Sequence, residues 1–164
     1  MTDYAWRPAV GTDVADIVAM AEQHFQTEID LIFKPEPITY SRNITLAVVQ
    51  QFYGPLSQLI SVCRDHDNRL LAYTWAGRGE RAAWSDDEMI VVRMAHVDLS
   101  LAPRQRIRIV QDMIELSEGW AALCGVDIIC STTMRKDQSA FLKIHERLGY
   151  DVRGSYAYKR LSTT

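Results

Sequence analysis

Three arginines spaced two apart, Arg104, Arg106 and Arg108, follow directly on Pro103 at the start of a helical pattern. A helix start already presents unpaired N–H groups and about half a positive charge, so each arginine there is disfavoured by roughly 0.3–1 kcal/mol unless something negative sits among them. The chemistry suited to this turn is capture of an anion, with a phosphate group as the natural candidate. A solvated basic turn is the plain alternative. Just upstream, His96 and Asp98 stand two apart, on one face of a strand if no bulge intervenes, and either can accept a proton. A satisfied core histidine and a turn-capping aspartate account for the same two residues.

The positioning elements follow from the pattern around these residues. A β-branched strand begins at Met89, a short turn closes at Pro103, and a helix with apolar positions Ile109, Val110, Met113, Ile114, Leu116 and Trp120 runs to a stop at Gly125. Val126 to Thr132 is then a short apolar strand, and the strand–helix–strand order makes it parallel to the first. Upstream, Tyr4 to Ala9 reads as a strand, followed by a helix capped by Thr12 or Asp13 with Val14, Ile17, Val18, Ala21 and Phe25 on one side. Glu28 to Tyr40, holding Pro35 and Pro37, reads as a loop with an apolar surface. A second helix spans Thr39 to Tyr53, with Ile44, Leu46, Val48, Val49 and Phe52 as its apolar residues. Leu59 to Cys63 and Leu70 to Trp75 form a hairpin about Asp65–Arg69, and Gly77 to Asp87 is a polar connection. Asp137 can cap a last helix from Gln138 to Leu148, and Tyr156 to Leu161 reads as a final strand. The order is β-α-α-β-β-β-α-β-α-β, an α/β (α+β) chain with a mixed, mostly antiparallel sheet, one parallel central strand pair and flanking helices.

The 164 residues suit a single domain, 1–164, with a core that needs no metal or disulfide staple. A net charge of −3 argues against a general nucleic-acid binder. Cys63, Cys124 and Cys130 lack metal-ligand spacing, so neither zinc nor a disulfide framework is expected, and reduced thiols point to the cytoplasm. The N-terminus is unlike a signal peptide, and no apolar run approaches membrane-spanning length. There is no Walker loop, no HExxH and no nucleophile elbow.

The element order, with WRPAVGTDVADIVAMAEQHF at one end and FLKIHERLGYDVRGSYAYKRL at the other, resembles the GNAT acetyltransferase superfamily over nearly the whole chain. The resemblance implies an N-acyltransferase that uses acetyl-CoA as co-substrate to acylate an amine, on a small molecule or a protein. Arg104 to Ile109 falls on the family's pyrophosphate loop, with Ile107 and Ile109 at its two small positions, so the resemblance assigns Arg104, Arg106, Ile107, Arg108 and Ile109 to the cofactor. It also places thioester-binding backbone N–H groups at about Leu99 to Leu101. The family's thiolate-protonating tyrosine, four residues before the Gly of a Gly-aromatic pair, corresponds to His145, and an imidazolium is an adequate acid near neutral pH. Asp137 falls near an asparagine that contacts the cofactor arm. His96 or Asp98 would serve as general base.

Glycines let backbone N–H groups approach phosphate oxygens, and two isoleucines in their place open a second reading. In it the chain keeps the fold as a non-catalytic binding or structural component of a larger assembly. Tyr73, Trp75, Trp84 and Phe33 either border an acceptor site or belong to the core. The apolar residues of Glu28 to Tyr40 also suit a homodimer surface.

Overall fold

A computed structural model describes residues 4–27, 33–135 and 138–154. Five strands, β1 (Tyr4–Pro8), β2 (Gln58–Asp65), β3 (Leu70–Arg81), β4 (Glu88–Val97) and β5 (Ile128–Ser131), form one sheet in sequence order. Neighbours from β1 to β4 are antiparallel, and β4 and β5 are parallel. The helices are α1 (Val14–Thr27), α2 (Pro37–Tyr53), α3 (Pro103–Cys124) and α4 (Ser139–Arg147).

Helices α1 and α2 bury Ile17, Ala21, Ile44 and Ala47 against Ile60, Val62 and Tyr73 on one face of the sheet. On the other face α3 packs Ile109 and Met113 against Leu71, Ala72 and Val97, and Trp120 and Ala121 against Ile90. Pro103 occupies the first turn of α3, where its missing N–H costs nothing, and Gly125 ends the helix in the left-handed conformation at φ 67°.

Several elements differ from the sequence expectation. The connection expected over Gly77 to Asp87 is shorter, because β3 continues to Arg81, past a register shift between Gly77 and Glu80 that lets glycine-containing backbone stay paired. Leu46, Val49 and Phe52 of α2 are exposed, because the buried side of that helix is set by Ile44 and Ala47. Asp13 is no simple cap. It is buried, its carboxylate accepts from the Val10 N–H, and it pairs with both Arg7 and Arg64, the latter also reaching Asp16 at 2.7 Å. The strand expected at Tyr156 to Leu161 lies outside the described residues. No helix among those described is long and apolar enough to cross a membrane.

Candidate active site

The parallel pairing of β4 with β5 covers only Met89 to Val92 against Ile128 to Ser131. Trp75 pairs with Met94 and Ala76 with Val92, so Arg93 is an extra residue in β4, a bulge at the point where the two strands stop pairing. Beyond it β4 continues to Val97 without β5. The result is a cleft of about 780 Å³, walled by Met94–Val97 on one side and by Ser131–Arg135, Phe141 and His145 on the other. It meets Gln26 and Thr27 at the end of α1 and Pro103, Arg106 and Ile107 at the start of α3. Because α1 and α3 pack on opposite faces, this cleft passes through the sheet.

At the α3 end, the first backbone bond of the helix runs from the Arg106 N–H to the Ala102 carbonyl at 3.0 Å. The N–H groups of Arg104 and Gln105 precede it with no capping side chain. Of the three arginines, Arg106 alone lines the cleft, and its buried Nε has no hydrogen-bond partner. Arg104 is exposed, and Arg108 lies toward Tyr4, where its charge acts on that phenol. Residues two apart on a helix diverge by about 200°, so the three never shared a face. Ile107 borders the cleft at 47% exposure, whereas Ile109 is wholly within the core and leaves the opening clear. Leu99 lines the cleft. Leu101 is buried, and its N–H already reaches the Asp98 carbonyl at 3.3 Å.

His96 and Asp98 are separated by the end of the strand. His96 is buried on the α1 face, its ring stacked on Tyr73 and 4.4 Å from that of His24, and its Nδ1 has no partner. Burial, aided by His24 and Arg135, holds its pKa well below 6.5. The neighbouring His24 donates Nε2–H to the Val97 carbonyl at 2.8 Å, since a carbonyl only accepts, and this leaves Nδ1 toward the Arg135 guanidinium at 3.4 Å. Asp98 instead closes the turn after β4, accepting from the Ser100 N–H at 2.8 Å and lying 3.4 Å from Arg69.

His145 lies in the far wall, where its Nδ1–H donates to the Phe141 carbonyl at 2.9 Å and its Nε2 faces Ser131 Oγ at 3.0 Å. Burial lowers its pKa. Tyr150 stands beside it with ring centroids 4.9 Å apart, its phenol pushed up to about 12 by burial and by Glu118. Ser131, Arg135 and Tyr150 carry no spacing signal in the sequence. Tyr150 alone was accessible, as the aromatic of the Gly149–Tyr150 pair. Asp137 lies outside the described residues. None of Phe33, Tyr73, Trp75 and Trp84 lines the cleft, and Trp84 is 89% exposed. Among the described residues no group of His, Cys, Asp or Glu is placed to hold a metal ion.

No family model matches the sequence, and a comparison with curated proteins finds no match. Solved structures do match. The chain is similar to aminoglycoside N-acetyltransferase AAC(6')-Iy in complex with CoA, at TM-score 0.72 and 12% identity over 98% of this chain and 95% of that one. It is similar to aminoglycoside 6'-N-acetyltransferase AAC(6')-Ih from Acinetobacter baumannii, at TM-score 0.67 and 15% identity over 97% and 99% of the two chains. A predicted acetyltransferase with acetyl-CoA from Clostridium acetobutylicum matches at TM-score 0.69 and 11% identity over 96% of each chain. The chain has the GNAT acetyltransferase fold.

Proposed function

We propose that this protein is an N-acyltransferase that uses acetyl-CoA to acylate an amine. The observation that carries the reading is the parting of β4 and β5 at the Arg93 bulge, which leaves a through-sheet cleft with a cationic helix start at one end and a neutral buried histidine at the other. The residues present fit the co-substrate: a buried guanidinium nitrogen lacks a partner at the α3 start, and Ile109 does not obstruct the opening. When bound, acetyl-CoA supplies an acyl thioester.

The chain's own residues then divide the work. Arg106 and the N–H groups of Arg104 and Gln105 hold phosphate oxygens by charge-assisted bonds, which are worth more in a half-buried site than in water. His96 lines the cleft and burial keeps its imidazole neutral, so this side chain is assigned the exchange of a proton with the amine. On the opposite wall, neutral His145 accepts the Ser131 hydroxyl proton at Nε2, and a proton gained by this imidazole reverses the bond, so that Nε2–H donates to Ser131 Oγ and the serine hydroxyl proton turns toward the cleft. The acid is therefore the pair. Asp98, already engaged by Ser100 and Arg69, is assigned no proton.

The test is incubation of the purified protein with acetyl-CoA and a panel of amines, following thiol release and the mass of the product. Acetyl-CoA-dependent acetylation of an amine, abolished by His96→Phe without loss of fold, is expected. Absence of both co-substrate binding and thiol release would remove the reading.

A further inference from the structure

Helix α2 is apolar on more than the side it buries. Its 17 residues hold one charge, Arg42, and no aspartate or glutamate. Ile44 and Ala47 face the sheet, whereas Ile38, Arg42, Leu46, Val49 and Tyr53 recur at helical spacing as one stripe on the opposite side. In this stripe Ile38 is 85% exposed and Tyr53 83%, the flanking Phe52 is 78% exposed, and Leu46, Val49 and the following Leu56 are about half exposed. The Phe52 and Tyr53 rings meet edge to face, with centroids 5.2 Å apart. A helix that is apolar all round normally lies between two packed layers, and α2 is covered on its sheet side only. Two aromatic rings and four aliphatic chains at these exposures present on the order of 800 Å² of side-chain surface, which exceeds the largest patch of a typical monomer and equals the share each partner gives to a standard interface.

We propose that the chain forms a two-fold homodimer through α2, with the helices of the two copies antiparallel and the axis between Leu46 and Val49. This inference stands apart from the acyltransferase reading. In a two-fold contact each patch meets its own copy, so the stripe has to complement itself. With the axis so placed, Leu46 comes level with the partner subunit's Val49, and Arg42 with the partner subunit's Tyr53, which offers the guanidinium an aromatic face where the helix has no acid. Arg42 and its copy then lie about 16 Å apart along the helices at 1.5 Å per residue, beyond the screening length of about 8 Å. The same symmetry lays Ile38 over the partner's counterpart of an open hollow of about 830 Å³ lined by Gln50, Tyr53, Pro55, Leu56 and Ser57. A lipid surface is served less well. Helices that lie on membranes carry Lys and Arg on the face turned to water, whereas the other face of α2 is in the core and the chain has a net charge of −3.

The experiment is sedimentation equilibrium of the full-length chain at about 1–100 μM, a range that brackets micromolar association. The mass should rise toward twice 18.7 kDa. Val49→Glu sets two like charges close to the axis and should raise the dissociation constant by about a hundredfold or more, with the circular dichroism spectrum unchanged because the position is exposed in one copy. Trp84→Glu alters a large exposed apolar residue outside the stripe and should leave the dimer intact. Arg42→Ala and Tyr53→Ala should each weaken the dimer, and the double variant should lose less than the product of the two because they share one contact. A chain still monomeric at about 100 μM would overturn the proposal. A dimer that survives Val49→Glu, one that dissociates with Trp84→Glu, or Arg42 and Tyr53 effects that simply multiply would also overturn it. So would a monomer that floats with vesicles of phosphatidylcholine and phosphatidylglycerol, since the stripe would then be a lipid-facing surface.

Discussion

Ser131 Oγ and His145 Nε2 lie 3.0 Å apart, tying the last residue of β5 to α4 across the wall of the cleft. With Nδ1–H committed to the Phe141 carbonyl, the second imidazole nitrogen has the serine as its partner. A hydroxyl stabilises the charged imidazole more than the neutral one, so Ser131→Ala should lower further a pKa that burial already depresses. Histidine resonances followed by NMR against pH would show this as a midpoint below that of the parent protein. For turnover, His145→Phe should cost about a hundredfold, as loss of a positioned acid does. An unchanged midpoint in Ser131→Ala would break the pair.

The arginines at the α3 start divide by face. Arg106→Ala should weaken acetyl-CoA binding by about 1.5–3 kcal/mol, because its guanidinium enters the cleft and charged hydrogen bonds are worth that much. Arg104→Ala and Arg108→Ala should leave affinity within about twofold at physiological salt, where exposed charges are largely screened. Calorimetric titration of the three variants distinguishes them, and equal losses would contradict the geometry.

Ile107 and Ile109 should behave as opposites despite their identical chemistry. Ile109 is sealed against Leu71, Val97 and Met113, so Ile109→Ala should cost about 2–5 kcal/mol in denaturant unfolding. Ile107→Ala should change stability by no more than about 0.5 kcal/mol, as half-exposed positions do. A large loss for Ile107→Ala would mean that the residue packs where the cleft is drawn.

Asp13 anchors the α1 start to the sheet. Burial alone would raise its pKa, but hydrogen bonds from Arg7, the Val10 N–H and Arg64 outweigh it and bring the value to about 2 from 3.8. The unfolded chain therefore binds the proton first, so this stabilisation is complete above about pH 5 and is lost as pH falls through the folded pKa. Asp13→Asn should destabilise by roughly 3 kcal/mol, because the buried Arg64 keeps only Asp16 of its two carboxylate partners and Arg7 loses its own, and should flatten the acid limb of the stability curve. An acid limb as steep as the parent's would contradict the assignment.

Much of this fold is legible in the residues. β-branched runs, the Pro103 start and the Gly125 stop define the central strand–helix–strand unit, and apolar spacing defines α1 and α3. The length of β3 was hidden by Gly77 and Gly79, which read as a connection but sit in a bulged strand where Gly77 makes room for Arg93. Leu46, Val49 and Phe52 look like a helix's buried side, yet α2 buries Ile44 and Ala47, a choice made by the sheet it lies on. The site was less legible because it depends on where two strands cease to pair. The arginine turn and His145 were visible, whereas Ser131 and Arg135 acquire meaning only once the bulge places them around one opening.

The central claim is that this opening holds an acyl-CoA, and a thermal-shift titration of the unmodified protein with acetyl-CoA tests it most directly. Stabilisation that rises with ligand and reaches about 2.7 kcal/mol at a hundredfold excess over the dissociation constant is expected. The shift should shrink in Arg106→Ala. A melting temperature unmoved by millimolar acetyl-CoA would contradict the account.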